Sequence, residues 1–189
     1  MRTEGVGCGF GSSVLAAFLF SACVLAIAWS QQVPSGQTPF VSTAGGYVVD
    51  YPSDWHRFPP GSLPTLDIYN FPFSRAGGGV LPDGGASIAL VPAPERVASI
   101  EDWIKADGGL REEKARSTIS LVRPSSREPL RVVEVVSLTG EGMENVDCYF
   151  EIPGRLLVGR LSYWPDDPRA KEYRELLHRI IQSARPLVR

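Results

Sequence analysis

The chain has 189 residues, 43% hydrophobic and 21% charged, with 19 Lys and Arg against 21 Asp and Glu. This composition belongs to an ordinary globular domain and excludes a disordered chain, a collagen and a polytopic membrane protein. A net charge of −2 makes no electrostatic case for nucleic acid, and two histidines with three scattered cysteines do not spell a metal framework.

Charge is almost absent from the first part, because after Glu4 the next acidic or basic side chain is Asp50. Within it Val14–Trp29, VLAAFLFSACVLAIAW, is apolar apart from Ser21. As a helix this run reaches roughly 24 Å, short of the ~30 Å hydrocarbon core. A signal peptide over residues 1–30 fits that length: Arg2 in the n-region, an apolar middle, and Ala28-Trp29-Ser30 as a small-x-small cleavage site. Two other fates remain open. Phe20-Ser21-Ala22-Cys23 resembles a lipoprotein box that would lipidate Cys23, although the residues after it stay apolar. An uncleaved N-terminal anchor is the third, tolerable with local bilayer thinning. All three export the remainder to a periplasmic or extracellular location, with membrane contact only through the N-terminal segment. Cleavage would remove Cys8 and Cys23 and leave Cys148 alone. The roughly 160 residues left can bury about 68–70% of their unfolded surface without a disulfide.

Residues 31–44, QQVPSGQTPFVSTA, are polar, uncharged and rich in Pro, Ser and Thr, and read as a linker. One domain is expected over 45–187. Strands are predicted at Gly46–Tyr51, ending at Pro52, then at Leu66–Phe73 and Ala86–Val91. Between the last two lies a glycine-rich loop in which Gly77, Gly78, Gly79, Asp83 and Gly84 form a mobile candidate interaction loop.

Ser99 opens a short helix, with Asp102 at the capping-box position and Ile100, Trp103 and Ile104 as its apolar stripe. Three strands follow, at Leu130–Thr139, Asn145–Ile152 and Leu156–Tyr163. Turns at Glu141-Gly142 and Pro153-Gly154 join them as a meander. The middle strand alternates, with Val146, Cys148, Phe150 and Ile152 on one face and Asp147, Tyr149 and Glu151 on the other. A closing helix begins with Asp167 as N-cap and Pro168 at the first position. Its stripe is Ala170, Tyr173, Leu176, Leu177, Ile180, Ile181 and Ala184. The fold class read from this order is α+β, an antiparallel sheet covered by helices.

No catalytic constellation stands out. His178 falls outside the apolar stripe and is expected at the surface. His56 stands near Asp50 and Asp54, and an Asp–His pair could orient a general base, but no serine or cysteine is placed to act with it. Cys148 shares its strand phase with Val146 and Phe150 and is expected to be a buried core thiol. The glycine loop lacks the Gly-Lys-Ser/Thr ending of a phosphate cradle. The acidic groups show no calcium-loop pattern. Residues Arg111–Arg131 mix both signs of charge and read as a solvated surface. Neither a metal, a cofactor nor an enzymatic activity is expected.

Three stretches carry a family resemblance: Gly46-Tyr-x-Val-x-Tyr-Pro-x-x-Trp55, Ser99-Ile-Glu-Asp-Trp-Ile104 and Ile180-Ile-Gln-Ser-Ala-Arg-Pro186. They resemble the opening strand and turn, the short helix and the closing segment of the PsbP superfamily, over roughly residues 44–187. That superfamily holds extrinsic photosystem II subunits, a Ran-GTPase-binding nuclear protein and exported bacterial proteins of the DcrB type. The resemblance implies an α/β/α sandwich around a central antiparallel sheet and a non-enzymatic role as a binding or accessory protein, in protein–protein interaction or envelope assembly, and it names no partner. Rival expectations from the residues are a small apolar-ligand carrier, with a pocket lined by Trp103 or Trp164, and a hydrolase using His56 with Asp50 or Asp54.

Overall fold

The structure is a computed structural model that describes residues 36–58, 64–72, 81–107, 112–123 and 128–188. The expected leader with Cys8, Cys23 and Ser30, and Gly77, Gly78 and Gly79 of the glycine loop, lie outside the described residues. The chain divides into two units, Met1–Gln32 and Val33–Arg189, and the architecture below is that of the second.

Its elements in chain order are β1 (Gln37–Ser42), β2 (Tyr47–Pro52), β3 (His56–Arg57), β4 (Leu66–Tyr69), β5 (Ala86–Pro92), α1 (Ile100–Asp107), β6 (Glu112–Leu121), β7 (Leu130–Leu138), β8 (Glu144–Ile152), β9 (Arg155–Tyr163), α2 (Ala170–Ser183) and β10 (Arg185–Pro186). Seven strands form one antiparallel sheet in the order β3-β4-β5-β9-β8-β7-β6, and β1-β2-β10 form a second, smaller one. The fold is therefore α+β with antiparallel sheets, as expected.

The meander over β7, β8 and β9 turns at Gly142 and Gly154, whose φ values of 86° and 74° lie in the left-handed region that glycine adopts freely. Strand alternation then divides the large sheet into two faces. One carries Val132, Val146, Cys148, Phe150, Leu157 and Leu161 and packs against Tyr173, Leu176, Leu177, Ile180 and Ile181 of α2. The other carries Val133, Val135, Tyr149 and Val158 and packs against Trp103 and Ile104 of α1. Each large apolar side chain so buried contributes about 1.5–3 kcal/mol. Gly159 lets α2 approach closely, because a Cβ there would lie 2.9 Å from Leu177 Cδ1 and 3.1 Å from Ile181 Cδ1.

Ser99 caps α1 as expected: its hydroxyl accepts from the Asp102 amide at 3.1 Å and donates to the Asp102 carboxylate at 2.8 Å. The start of α2 needs a correction. Its N-cap is Arg169, and Asp167 acts two residues earlier, where its carboxylate accepts from the Arg169 amide at 2.8 Å. Asp167, Pro168 and Arg169 thus make a turn ahead of the helix.

Three further expectations change. Residues 37–42, assigned to a linker, are a strand of the body. Phe40 and Ser42 turn inward, and Pro39, which cannot donate to a ladder, sits on an edge strand where it need not. The charged stretch read as a solvated surface, with no strand predicted in it, contains β6, a ten-residue edge strand. Exposure on both faces removes the alternation by which it would have been recognised. The predicted strand Leu66–Phe73 stops at Tyr69. Just past it, the Asn70 amide donates to the Ala86 carbonyl at 3.2 Å, and its side chain accepts from the Ala86 amide at 2.8 Å and donates to the Gly84 carbonyl at 3.1 Å.

Candidate functional site

Two polar constellations stand out. The first surrounds the start of α2. Gly84, at φ 68°, presents its carbonyl to three donors from two other segments: Asn70 Nδ2 at 3.1 Å, the Tyr173 hydroxyl at 3.1 Å and the Arg169 guanidinium. Tyr173 in turn accepts from Asn70 Nδ2 at 3.0 Å. Desolvation, with the charge of Asp167 adding to it, holds the Tyr173 hydroxyl in its protonated form by raising its pKa. Leu81 is buried, and its carbonyl accepts the Trp164 indole N–H at 3.1 Å. The end of the candidate interaction loop is therefore pinned to the body, with Asp83 exposed between two anchored residues.

Around this knot lie two shallow recesses that share Arg169. One, of about 390 Å³, runs between Trp55, Asp54, Glu172 and Arg179. The other, of about 340 Å³, runs between Asp83, Gly84, Trp164 and Asp166. The Trp55 ring meets Tyr173 edge-on at 6.2 Å, and the Arg169 guanidinium lies over the same Tyr173 ring at 5.2 Å. Aromatic side chains and arginine, held rigidly at a surface with both signs of charge around them, are the groups that dominate protein recognition.

The second constellation lies between the large sheet and the flank of α2. Glu134 of β7 and Cys148 of β8 are register partners. Glu134 Oε2 accepts from the Cys148 thiol at 3.8 Å and lies 3.2 Å from His178 Nε2. Its other oxygen, Oε1, faces the Arg174 guanidinium at 3.9 Å. Arg174 also reaches Glu144 Oε1 at 2.6 Å and the Tyr163 hydroxyl at 3.0 Å, and Lys114 meets Glu144 Oε2 at 3.4 Å.

Electrostatics follow from this wiring. The His178 hydrogen bond holds the Glu134 carboxyl below the usual carboxylate range against the opposing effect of burial. Burial would raise Glu144, but the hydrogen bonds from Tyr163 and Arg174 and the Arg174 charge leave it lowered. Burial, reinforced by the charges of Glu134 and Asp147, pushes the Cys148 thiol well up. Cys148 is thus the buried core thiol that its strand phase predicts. Its hydrogen-bond partner is a carboxylate rather than the imidazole, the reverse of what activates a nucleophilic thiol.

Sequence reasoning placed His178 at the surface and did not select Glu134. His178 is half-buried, because the flank of α2 reaches over β7 as well as β8. Glu134 did leave a signal. It is in strand phase with Val132 and Val136, so the ladder that buries those valines carries a carboxylate inward with them.

The hydrolytic pairing does not assemble around Asp50. Both oxygens of that buried carboxylate accept from Arg185, at 3.0 and 3.3 Å, whereas His56 is exposed on β3. Asp54 lines the first recess beside Trp55. Trp103 fills the space between α1 and the sheet and meets Tyr149 edge-on at 5.6 Å, whereas Trp164 lines the second recess.

An antiparallel α+β fold with an aromatic and arginine-bearing pole is the class these observations define. No family model matches the chain, and no curated protein matches it. Among solved structures it is similar to the solution structure of cyanobacterial PsbP (CyanoP) from Synechocystis sp. PCC 6803. The two share 16% sequence identity at a TM-score of 0.44, over 80% of this chain and 92% of that one. Among the described residues no helix is long and apolar enough to cross a membrane.

Proposed function

We propose that this chain is an exported, non-enzymatic accessory protein that docks a partner protein through the pole formed by Trp55, Asp83, Gly84, Trp164 and Arg169. The observation that carries the reading is the convergence of Asn70, Tyr173 and Arg169 on the Gly84 carbonyl. Three separate segments are locked there into one platform, so its aromatic and charged side chains lose little further freedom on binding. The leader-like run Val14–Trp29 supports the exported location.

The test is quantitative capture by the full chain from envelope and culture fractions, with wild type and W164A compared. Asp83→Arg serves as a surface variant that leaves the knot intact. A stoichiometric partner whose binding falls at least tenfold in both variants, with the thermal midpoint unchanged in Asp83→Arg, is expected. A partner retained equally by both variants overturns the docking surface, and turnover of a substrate by the purified chain overturns the non-enzymatic role. The intact mass of the exported form distinguishes cleavage, lipidation at Cys23 and retention.

A further inference from the structure

Glu134, Cys148 and His178 are far apart in the chain, yet one donor atom of each lies within 4.8 Å of the other two. The convergence is specific at the level of atoms. Glu134 Oε2 is shared by the thiol and the imidazole, while Oε1 is turned towards Arg174. A tetrahedral zinc with ordinary bond lengths separates an oxygen from a nitrogen ligand by about 3.4 Å and an oxygen from a sulfur ligand by about 3.6 Å. The observed separations are 3.2 and 3.8 Å. The oxygen therefore needs shifts of a few tenths of an ångström. The Cys148 sulfur and the His178 nitrogen, which lie within 4.8 Å, close to about 3.5 Å around such an ion, a movement of up to about 1.3 Å that falls to the partly exposed imidazole.

We propose that Glu134, Cys148 and His178 form a binding site for a borderline divalent cation of the zinc type, with a fourth position open to water. Charge balances within the site. A dication with one thiolate, one carboxylate and a neutral imidazole sums to zero, and Arg174 is matched separately by Glu144 at 2.6 Å. Arg174 then acts from outside the ligand set and orients the carboxylate through Oε1. Thiolate and imidazole donors favour zinc-type ions over calcium or magnesium, which take oxygen ligands. His178 is the entry side, with 27% of its side chain exposed, against 12% for Glu134 and a fully buried Cys148. On binding, the cation bonds to sulfur and the thiol proton passes to solvent, so loading releases protons. This inference does not depend on the docking pole.

The full chain, reduced and metal-free, is titrated with Co2+ and then Zn2+. One equivalent of Co2+ is expected to bind with a thiolate-to-cobalt charge-transfer band that Zn2+ abolishes. Cys148→Ser should remove the band, and His178→Gln, at a half-exposed position that leaves the fold intact, should weaken affinity at least tenfold. Glu134→Gln should weaken it likewise. No stoichiometric binding, a band that survives Cys148→Ser and so belongs to Cys8 or Cys23, or an affinity unchanged in His178→Gln would each overturn the site.

Discussion

Gly159 of β9 lies directly beneath Leu177 of α2, so closely that a Cβ on the glycine would stand 2.9 Å from the leucine Cδ1. The long helix can lie flat on the sheet because one strand position has no side chain. Gly159→Ala is therefore expected to push α2 outward and destabilise the domain by about 1–3 kcal/mol. Chemical denaturation of the variant measures this, and a change below about 0.5 kcal/mol contradicts the packing.

Arg185 and Asp50 tie the C-terminal strand β10 to β2 through a two-pronged contact at 3.0 and 3.3 Å. Removal of the guanidinium leaves a buried carboxylate with its main partner gone. Arg185→Ala should cost about 1–3 kcal/mol, discounted from a fully buried pair because the arginine is about one third exposed. His56→Ala, at an exposed position, should stay within about 0.5 kcal/mol of wild type. Urea midpoints of the two variants give the comparison.

Glu144 titrates below the ordinary carboxylate range in the folded protein, where Tyr163 and Arg174 outweigh burial. A depressed folded value means that its contribution is complete above the unfolded value, near pH 4.3, and disappears as pH falls through the folded value. Asp67, raised by burial, acts in the opposite sense over the acid range. The difference between wild type and Glu144→Gln isolates the first effect. Their stabilities should diverge most above about pH 5 and converge in stronger acid, and parallel curves would contradict the assignment.

Cys148 is fully buried, and burial with two neighbouring carboxylates keeps its thiol protonated. Alkylation of the native chain, mapped by peptide mass, should leave the Cys148 peptide unmodified over times that label it completely in denaturant. Native labelling as fast as in the unfolded chain would show that the thiol is accessible.

Much of the frame is legible in local patterns. The alternation of Val146, Cys148, Phe150 and Ile152 identifies β8. Gly142 and Gly154 mark the turns of the meander, and the stripe from Tyr173 to Ala184 identifies α2. Ser99 and Asp102 announce the start of α1 from four consecutive residues. These features depend on neighbours in the chain, and periodicity records which of them face inward.

The pole and the Glu134 cluster depend on neighbours in space. Gly84 meets Asn70 and Tyr173 only after β4, β5 and α2 are assembled. The edge position of β6 erases its alternation, and the pairing of β1 with β2 overrides a polar, proline-bearing composition. His178 illustrates the division most directly. Helical phase determines its angle from the apolar stripe, but the sheet position over which α2 comes to rest decides that Glu134 waits at that angle. Local sequence thus determines the periodic elements and their inward faces. Long-range register and the seating of α2 decide which polar groups meet, because those contacts join residues that no short window contains.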